Sequence, residues 1–368
     1  MTRAAAKPGA ALLGVTHPHT SGRTRALIEK SIPILGAWDD DPVIEHFTKK
    51  FEIPERSLDS ILDDRDVNIV LIHSKSHSMV PLACSALRAG KAVLVEKPGG
   101  KSFEDLETLV RAVEETNGIC QVGYSYRFSP AVRITDEVLE TGMLGRVLQV
   151  RLHGGCSLDE AATSHLNQPD DIGGAFFVIG CHLIDLLVHH LGMPDSANAK
   201  IPKFGGLFGP GSREDAGIVV LEYSNKIVSF DFSSWDPLPW VESWAISFYG
   251  HEGVLHARPL PATCELFLKE AKGRFNAGWT RWNETSFPIA WASEKTEYTP
   301  DLAEIGNLHF FRREVESFLA AALGERPVEI PAAHARDILK LITACYESSA
   351  QGGQEVRLNK NHLLTKSP

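Results

Sequence analysis

Ala89-Gly90-Lys91-Ala92-Val93-Leu94-Val95-Glu96-Lys97-Pro98 is the stretch whose reading decides the fold. Gly90 stops a helix that starts near Ser78. Ala92 to Val95 is then a short apolar run without alternation, the pattern of a strand buried on both faces. A charged pair and a proline close it. The run therefore leaves a lysine, Lys97, at the carboxyl end of a buried strand, where open α/β sheets take their ligands.

The flanking sequence repeats the pattern. Ile69-Val70-Leu71-Ile72 is a second continuous apolar strand. Upstream, Ala11 to Val15 reads as a strand with Gly14 at its end, residues 23–30 as helix, and Ile32 to Ala37 as strand. Trp38-Asp39-Asp40-Asp41-Pro42 closes that strand, and Pro42 suits the first turn of a helix running to Phe51. Downstream, Ser102 caps a helix that ends near Asn117-Gly118, and Cys120 to Tyr124 is a further strand. Strands alternating with helices predict a doubly wound parallel sheet.

Such a sheet marks a dinucleotide site with glycines after its first strand. Here Gly14-Val15-Thr16-His17-Pro18-His19-Thr20-Ser21-Gly22 keeps a first and a last glycine, with Thr16 near the middle one. Asp39 ends the second strand, where an acid can bond the adenosine ribose hydroxyls. Asp40 and Asp41 add negative charge where an extra phosphate would lie, and no Lys or Arg follows at once. NAD is therefore expected over NADP.

A second decisive stretch is Gly173-Gly174-Ala175-Phe176-Phe177-Val178-Ile179-Gly180-Cys181-His182-Leu183-Ile184-Asp185. It places His182 inside an apolar helix delimited by Gly174 and Gly192. An imidazole, with an ordinary pKa near ~6.5, suits a general base. Asp185, three residues on, shares its face. His182, Asp185 and His189 have a possible metal spacing, but no matching ligands stand elsewhere, and no metal is expected.

Composition bounds the function. A chain of 368 residues exceeds one ordinary core, so two domains are expected. Apolar and charged fractions of 43% and 23% are those of a globular protein. A net charge of −10, with no basic run, argues against nucleic acid. Six scattered cysteines without C-x-x-C spacing suggest a reducing compartment. No apolar run fits a secretory leader or a membrane span, so a cytoplasmic protein is expected.

Together these residues resemble the glucose–fructose oxidoreductase, inositol dehydrogenase and rhizopine-catabolism (Gfo/Idh/MocA) family. Ala89 to Pro98 is close to its A-G-K-x-V-x-x-E-K-P, and Gly123-Tyr124-Ser125-Tyr126-Arg127-Phe128-Ser129-Pro130 to its G-Y-x-x-R-F-x-P. Gly173 to Asp185 is similar to its G-G-G-x-x-x-D-x-G-x-H-x-x-D. The His73 to His77 loop stands where the family has T-P-N-x-x-H, with Ser74, Lys75 and Ser76 replacing Thr-Pro-Asn.

The resemblance implies an α/β chain. It would have a Rossmann domain over 1–126, then an α/β domain over 127–368 built on a large, open, mostly antiparallel sheet. Leu148 to His153, Ile218 to Tyr223, Lys226 to Phe232 and Trp244 to Tyr249 are compatible β-rich stretches, two of them joined by Ser224-Asn225 as a hairpin. Asn307 to Leu323 and Ala332 to Ser349 read as helices. An open sheet face needs a cover, so a homodimer or homotetramer is expected.

The implied activity is NAD-dependent hydride transfer at a secondary hydroxyl or ketone of a sugar, glycoside or cyclitol. Lys97 would polarise the oxygen and His182 would act as base, with a cis Lys97–Pro98 bond aiming the lysine. Gly14, Thr16, His17, His19, Gly22, Asp39, Ser74, His77, Glu96 and Lys97 would hold the cofactor. Tyr124, Tyr126, Arg127, Asp171 and His182 would meet the substrate. Arg127 could equally be a structural ion pair. Trp235, Trp240 and Trp244 are candidates for a sugar-stacking wall or for the core, and His153 and His165 for the pocket. The family's aspartate falls at Val178, and Asp170 or Asp171 could substitute for it. Two alternatives stay open: glycoside cleavage by oxidation and elimination with recycled NAD, or a nucleotide-sensing regulator without turnover.

Overall fold

The computed structural model describes residues 8–155, 174–204, 214–234, 236, 243–260, 262–283 and 300–358, with backbone only at 178, 283 and 300–309. Asp170, Asp171, Gly173, His165, Trp235 and Trp240 lie outside the described residues. The chain forms two compact units. One comprises the chain to Ser125 with a returning segment that ends at Arg336, and the other comprises the rest.

The first unit alternates β1 (Gly9–Leu13), α1 (His19–Glu29), β2 (Ile34–Trp38), α2 (Val43–Phe51), α3 (Leu58–Leu62), β3 (Val67–Ile72), α4 (Ser76–Arg88), β4 (Ala92–Glu96), α5 (Phe103–Thr116) and β5 (Cys120–Gly123). The strands pair in parallel in the order β2-β1-β3-β4-β5. The two-faced burial read from Ile69 to Ile72 and Ala92 to Val95 holds at every position but Ala92, which is half-buried. Ser102 caps α5 by accepting the Asp105 amide hydrogen at 3.2 Å, and Asn117 ends it with φ of 47°.

Helix α1 starts at His19 rather than at residue 23, because the chain turns into it directly behind Pro18. The returning helix α9 (Pro300–Ala322) packs on α1. Its Val315 and Phe318 are buried in the same core as Leu12, Leu71 and Leu94. Each fully buried side chain of this size contributes roughly 1.5–3 kcal/mol. Gly22 permits the approach, since a Cβ there would stand 2.3 Å from the Phe311 ring.

The second unit opens with α6 (Pro130–Glu140) and holds β6 (Val147–Gly155), α7 (Ala175–Val178), α8 (Gly180–Leu191), β7 (Ser196–Lys200), β8 (Ala216–Tyr223), β9 (Lys226–Ser233), β10 (Ala245–Gly250), β11 (Gly253–Pro259), β12 (Ala262–Leu268) and β13 (Gly278–Asn283). Helix α10 (Ala332–Ala350) leads to β14 (Val356–Arg357). The sheet order is β13-β12-β11-β10-β6-β9-β8-β7-β14, antiparallel except where β6 meets β9. Ser224-Asn225 turns β8 into β9, with Tyr223 opposite Lys226.

Register puts Trp279, Phe267, Val254, Tyr249, Gln149 and Ile227 in one cross-strand row on one face. The neighbouring row, offset by one residue, is buried: Leu266, Leu255, Phe248, Val150 and Val228. Alternation along each strand thus separates a core face from an outward face. Ile218, on that outward face, is 62% exposed.

Candidate functional site

In a parallel sheet of order 2-1-3-4-5 the crossovers change sides between β1 and β3, and the crevice outside the strands' carboxyl ends is the ligand position. Backbone bonds lock the two loops there: the His73 amide donates to Leu13 O at 3.1 Å and the His17 amide to His73 O at 3.2 Å. Gly14 has φ of +82°, and a Cβ on it would stand 2.5 Å from the Ser74 backbone nitrogen. Only glycine lets these loops close so tightly.

Asp39 reaches the same loop. Its carboxylate accepts the Val15 amide hydrogen at 2.5 Å and the Asp41 amide hydrogen at 3.0 Å. Burial pushes its pKa up. Thr16 Oγ1 donates to His73 O at 3.4 Å, and His17 Nδ1 accepts the His19 amide hydrogen at 3.2 Å. Ser74 is buried and His77 is exposed on the first turn of α4. Gly22 contacts Phe311, a packing role for the last glycine of the loop.

Glu96 ends β4 in a buried charge cluster. It accepts from Arg23 and lies 3.2 Å from His19 Nδ1 and 3.8 Å from His17 Nδ1. Burial would raise its pKa, but Arg23 with the two histidines overcomes this and holds the carboxyl well below the usual range. Arg23 Nε donates to Glu314 of α9 at 2.6 Å and its other terminal nitrogen to Gly123 O at 3.2 Å. Burial pushes the Glu314 carboxyl up, offset only in part by Arg23. Lys97 follows, buried, with a cis bond to Pro98. His73 is fully buried, and neither ring nitrogen has a hydrogen-bond partner. Burial lowers its pKa well below the usual histidine value.

These features fit a dinucleotide: a glycine turn at the switch point, an acid at the end of β2, and a buried imidazole that the unit itself leaves unsatisfied. Among the residues that sequence reasoning missed, Arg23 and Glu314 carried no local signal, being 291 positions apart. Lys75, a departure from the family motif, places its ammonium 3.4 Å from Asp41. The cation sought directly after Asp41 comes from the β3–α4 loop instead.

In the second unit the expected single helix is two. Ile179 breaks it, with φ of −108°, and Gly180 opens α8 where Phe176 would stand 3.2 Å from a Cβ. His182, in the first turn of α8, is buried edge-on to Tyr126 at 4.7 Å and beside Trp244 at 5.8 Å. Trp244 is core and not an open wall, since its indole N–H donates to Gly155 O at 2.7 Å and it is buried. A cleft beside these rings is lined by Gly154, Gly155, Ile179, Leu183 and Phe230.

Asp185 is engaged by Arg127. It takes a two-pronged ion pair from Arg127, at 2.9 and 2.8 Å, and both are buried. The structural alternative for Arg127 is therefore the one realised. The spacing of His182, Asp185 and His189 gathers no common site, because His189 turns to Asp136, with Nε2 2.7 Å from Oδ1. Tyr124 is buried at the end of β5 in the first unit. His153 is paired with Asp231 at 2.6 Å on the outward face. Val178 ends α7. The described cysteines are buried, and among the described residues no helix is long and apolar enough to cross a membrane.

Comparison with known proteins matches both halves. Residues 6–124 match the oxidoreductase family's NAD-binding Rossmann fold, and residues 136–358 its C-terminal alpha/beta domain. Levoglucosan dehydrogenase of Pseudarthrobacter phenanthrenivorans is 31% identical over 146 residues, 39% of this chain and 37% of that protein. Inositol 2-dehydrogenase 2 of Saccharopolyspora erythraea is 32% identical over 174 residues, 46% of this chain and 48% of that one. The chain thus spans less than half the length of these relatives. An Agrobacterium radiobacter oxidoreductase, solved with NAD+, L-tartaric acid and magnesium, shares the fold with a TM-score of 0.80 at 19% identity, over 96% of this chain and 98% of that one.

Proposed function

The chain belongs to the Gfo/Idh/MocA oxidoreductase family, and from that premise we propose that it is an NAD-dependent dehydrogenase acting on a secondary hydroxyl or ketone of a sugar, glycoside or cyclitol. The observation that carries this reading is Lys97. A lysine only 5% exposed sits directly after β4, at the carboxyl rim of the parallel sheet. An ammonium is costly to bury, and a strand end on the cofactor rim is where a cation is useful to an oxygen gaining negative charge.

Bound NAD supplies the hydride acceptor. Gly14, Thr16, His17 and His19 would line its phosphates, Asp39 its ribose, and Ser74, His77 and Glu96 the remaining rim, with Gly22 seating α1 behind them. Lys97 holds the substrate oxygen and favours its developing charge. His182 takes the hydroxyl proton at an imidazole nitrogen, between the rings of Tyr126 and Trp244. Tyr124 and Tyr126 border the substrate, and Asp170 or Asp171 is the acid proposed to stand in for the one that Val178 replaces. Arg127 serves through its pair with Asp185, which ties α8 to the segment before α6.

The reading extends to assembly. The outward row from Trp279 to Ile227 offers an apolar strip for a second copy, giving a homodimer or homotetramer.

The test is NADH absorbance with NAD and a panel of pyranoses, glycosides and inositols, wild type beside Lys97→Met. Turnover with at least one panel member, reduced about 10²- to 10³-fold by the substitution, is expected. His182→Asn should flatten the acid limb of the pH–rate profile. No NADH from any member overturns the proposal and favours redox-recycling glycoside cleavage or a sensor.

A further inference from the structure

We propose that Asp136, His189 and His190 bind one divalent ion of the zinc class in the second unit, at a site separate from hydride transfer. Asp136 lies on α6 and the two histidines on the last turn of α8. His189 Nε2 is 2.7 Å and His190 Nδ1 3.3 Å from the same oxygen, Asp136 Oδ1. All three donor atoms lie within 4.8 Å of one another. Two imidazole nitrogens and a carboxylate oxygen are a zinc donor set that leaves a fourth position for water. With bonds of about 2.0–2.1 Å, tetrahedral donors stand roughly 3.3 Å apart, so side-chain rotations close the site.

The surroundings favour a cation. The His190 imidazole is 2% exposed and edge-on to Phe248 at 5.7 Å, which fixes one ligand. Asp136 and His189 are 18% and 28% exposed, which gives the ion a way in and a water its place. The site caps the carboxyl end of α8, where the helix field attracts positive charge. Of the neighbouring cations, Arg127 is neutralised by Asp185, and Arg133 approaches the other Asp136 oxygen at 3.7 Å from a largely exposed position.

The other His–His–carboxylate group, His17 with His19 and Glu96, is equally compact. It is the poorer site. His17 Nδ1 already accepts the His19 amide hydrogen, and the Arg23 guanidinium on Glu96 would face the ion. An ion at Asp136 would instead tie α6 to the end of α8, the helix whose first turn carries His182.

The experiment uses the full chain, stripped with chelator and then titrated with zinc chloride. Cobalt(II) serves as a spectroscopic probe. The expected result is one zinc per chain, four-coordinate cobalt bands in the visible, and a thermal midpoint that rises with zinc by linkage. Asp136→Asn and His189→Gln should each abolish all three. His189→Gln keeps the Asp136–His190 contact, so at least one variant retains the fold. Three outcomes overturn the proposal: no stoichiometric zinc, binding unchanged in both variants, or binding lost in His17→Gln instead.

Discussion

Arg23→Met would remove a guanidinium that is fully buried between two carboxylates that are also fully buried, Glu96 and Glu314. Methionine fills a similar volume without the charge. Removing one partner of a buried pair costs about 3–5 kcal/mol, because an uncompensated charge remains. Here two remain, so the upper part of that range is expected at pH 7.5. At about 2–4 °C per kcal/mol for a unit of this size, the thermal midpoint should fall by roughly 10–20 °C.

The pH dependence distinguishes this cause from lost packing. In the wild type Glu96 has a depressed pKa, so its contribution is present above the ordinary carboxylate pKa and is lost as pH falls through the depressed value. Glu314 has a raised pKa, so its contribution is present at low pH and fades as pH rises through that value. Without Arg23, only His17 and His19 oppose burial at Glu96, and its pKa moves up toward the second class. The deficit should therefore shrink on acidification toward pH 5, where both carboxyls take up protons. Thermal and urea unfolding at pH 5 and pH 7.5 measures it. A deficit of under ~1 kcal/mol, or one equal at both pH values, would refute the electrostatic account.

Gly14→Ala should cost about 1–3 kcal/mol, because alanine must hold φ near +82° against Ser74, and it should weaken NAD binding in a fluorescence titration; unchanged stability and affinity together would sink this reading of the loop. Arg127→Met removes the ion-pair partner of buried Asp185, and should destabilise by about 3–5 kcal/mol; Asp185→Leu added to it should restore part of the loss, and a double variant no more stable than the single one would count against the pair as the cause.

Much of the fold was legible because it is written locally. Continuous apolar runs such as Ile69 to Ile72 report burial on both faces, and the alternation within Lys226 to Phe232 reports one face. Pro42, Ser102 and Asn117 mark helix ends by their own chemistry. Boundaries read from periodicity alone slipped, as at α1, because the loop ahead of it is shaped by contacts with the β3–α4 loop. The placement of candidate residues was legible where a motif is contiguous, as with buried Lys97 after β4 and buried His182 in α8. It was not legible where side chains had a choice of partner, as with Asp185, which pairs with Arg127.

The order of apolar runs, glycines and caps determined by itself that this chain makes a parallel α/β sheet and that Lys97 stands on a strand end, while the antiparallel sheet that follows was implied by the family resemblance. Each of those signals lies within a few residues of what it specifies. Only the tertiary structure decided that α9 returns to close the first core, that Arg23 bridges Glu96 and Glu314, that Lys75 answers Asp41, and that Asp136 receives two histidines. Those pairings join residues far apart in the chain, and a charged side chain's partner is chosen by which elements pack together. No local pattern encodes that choice.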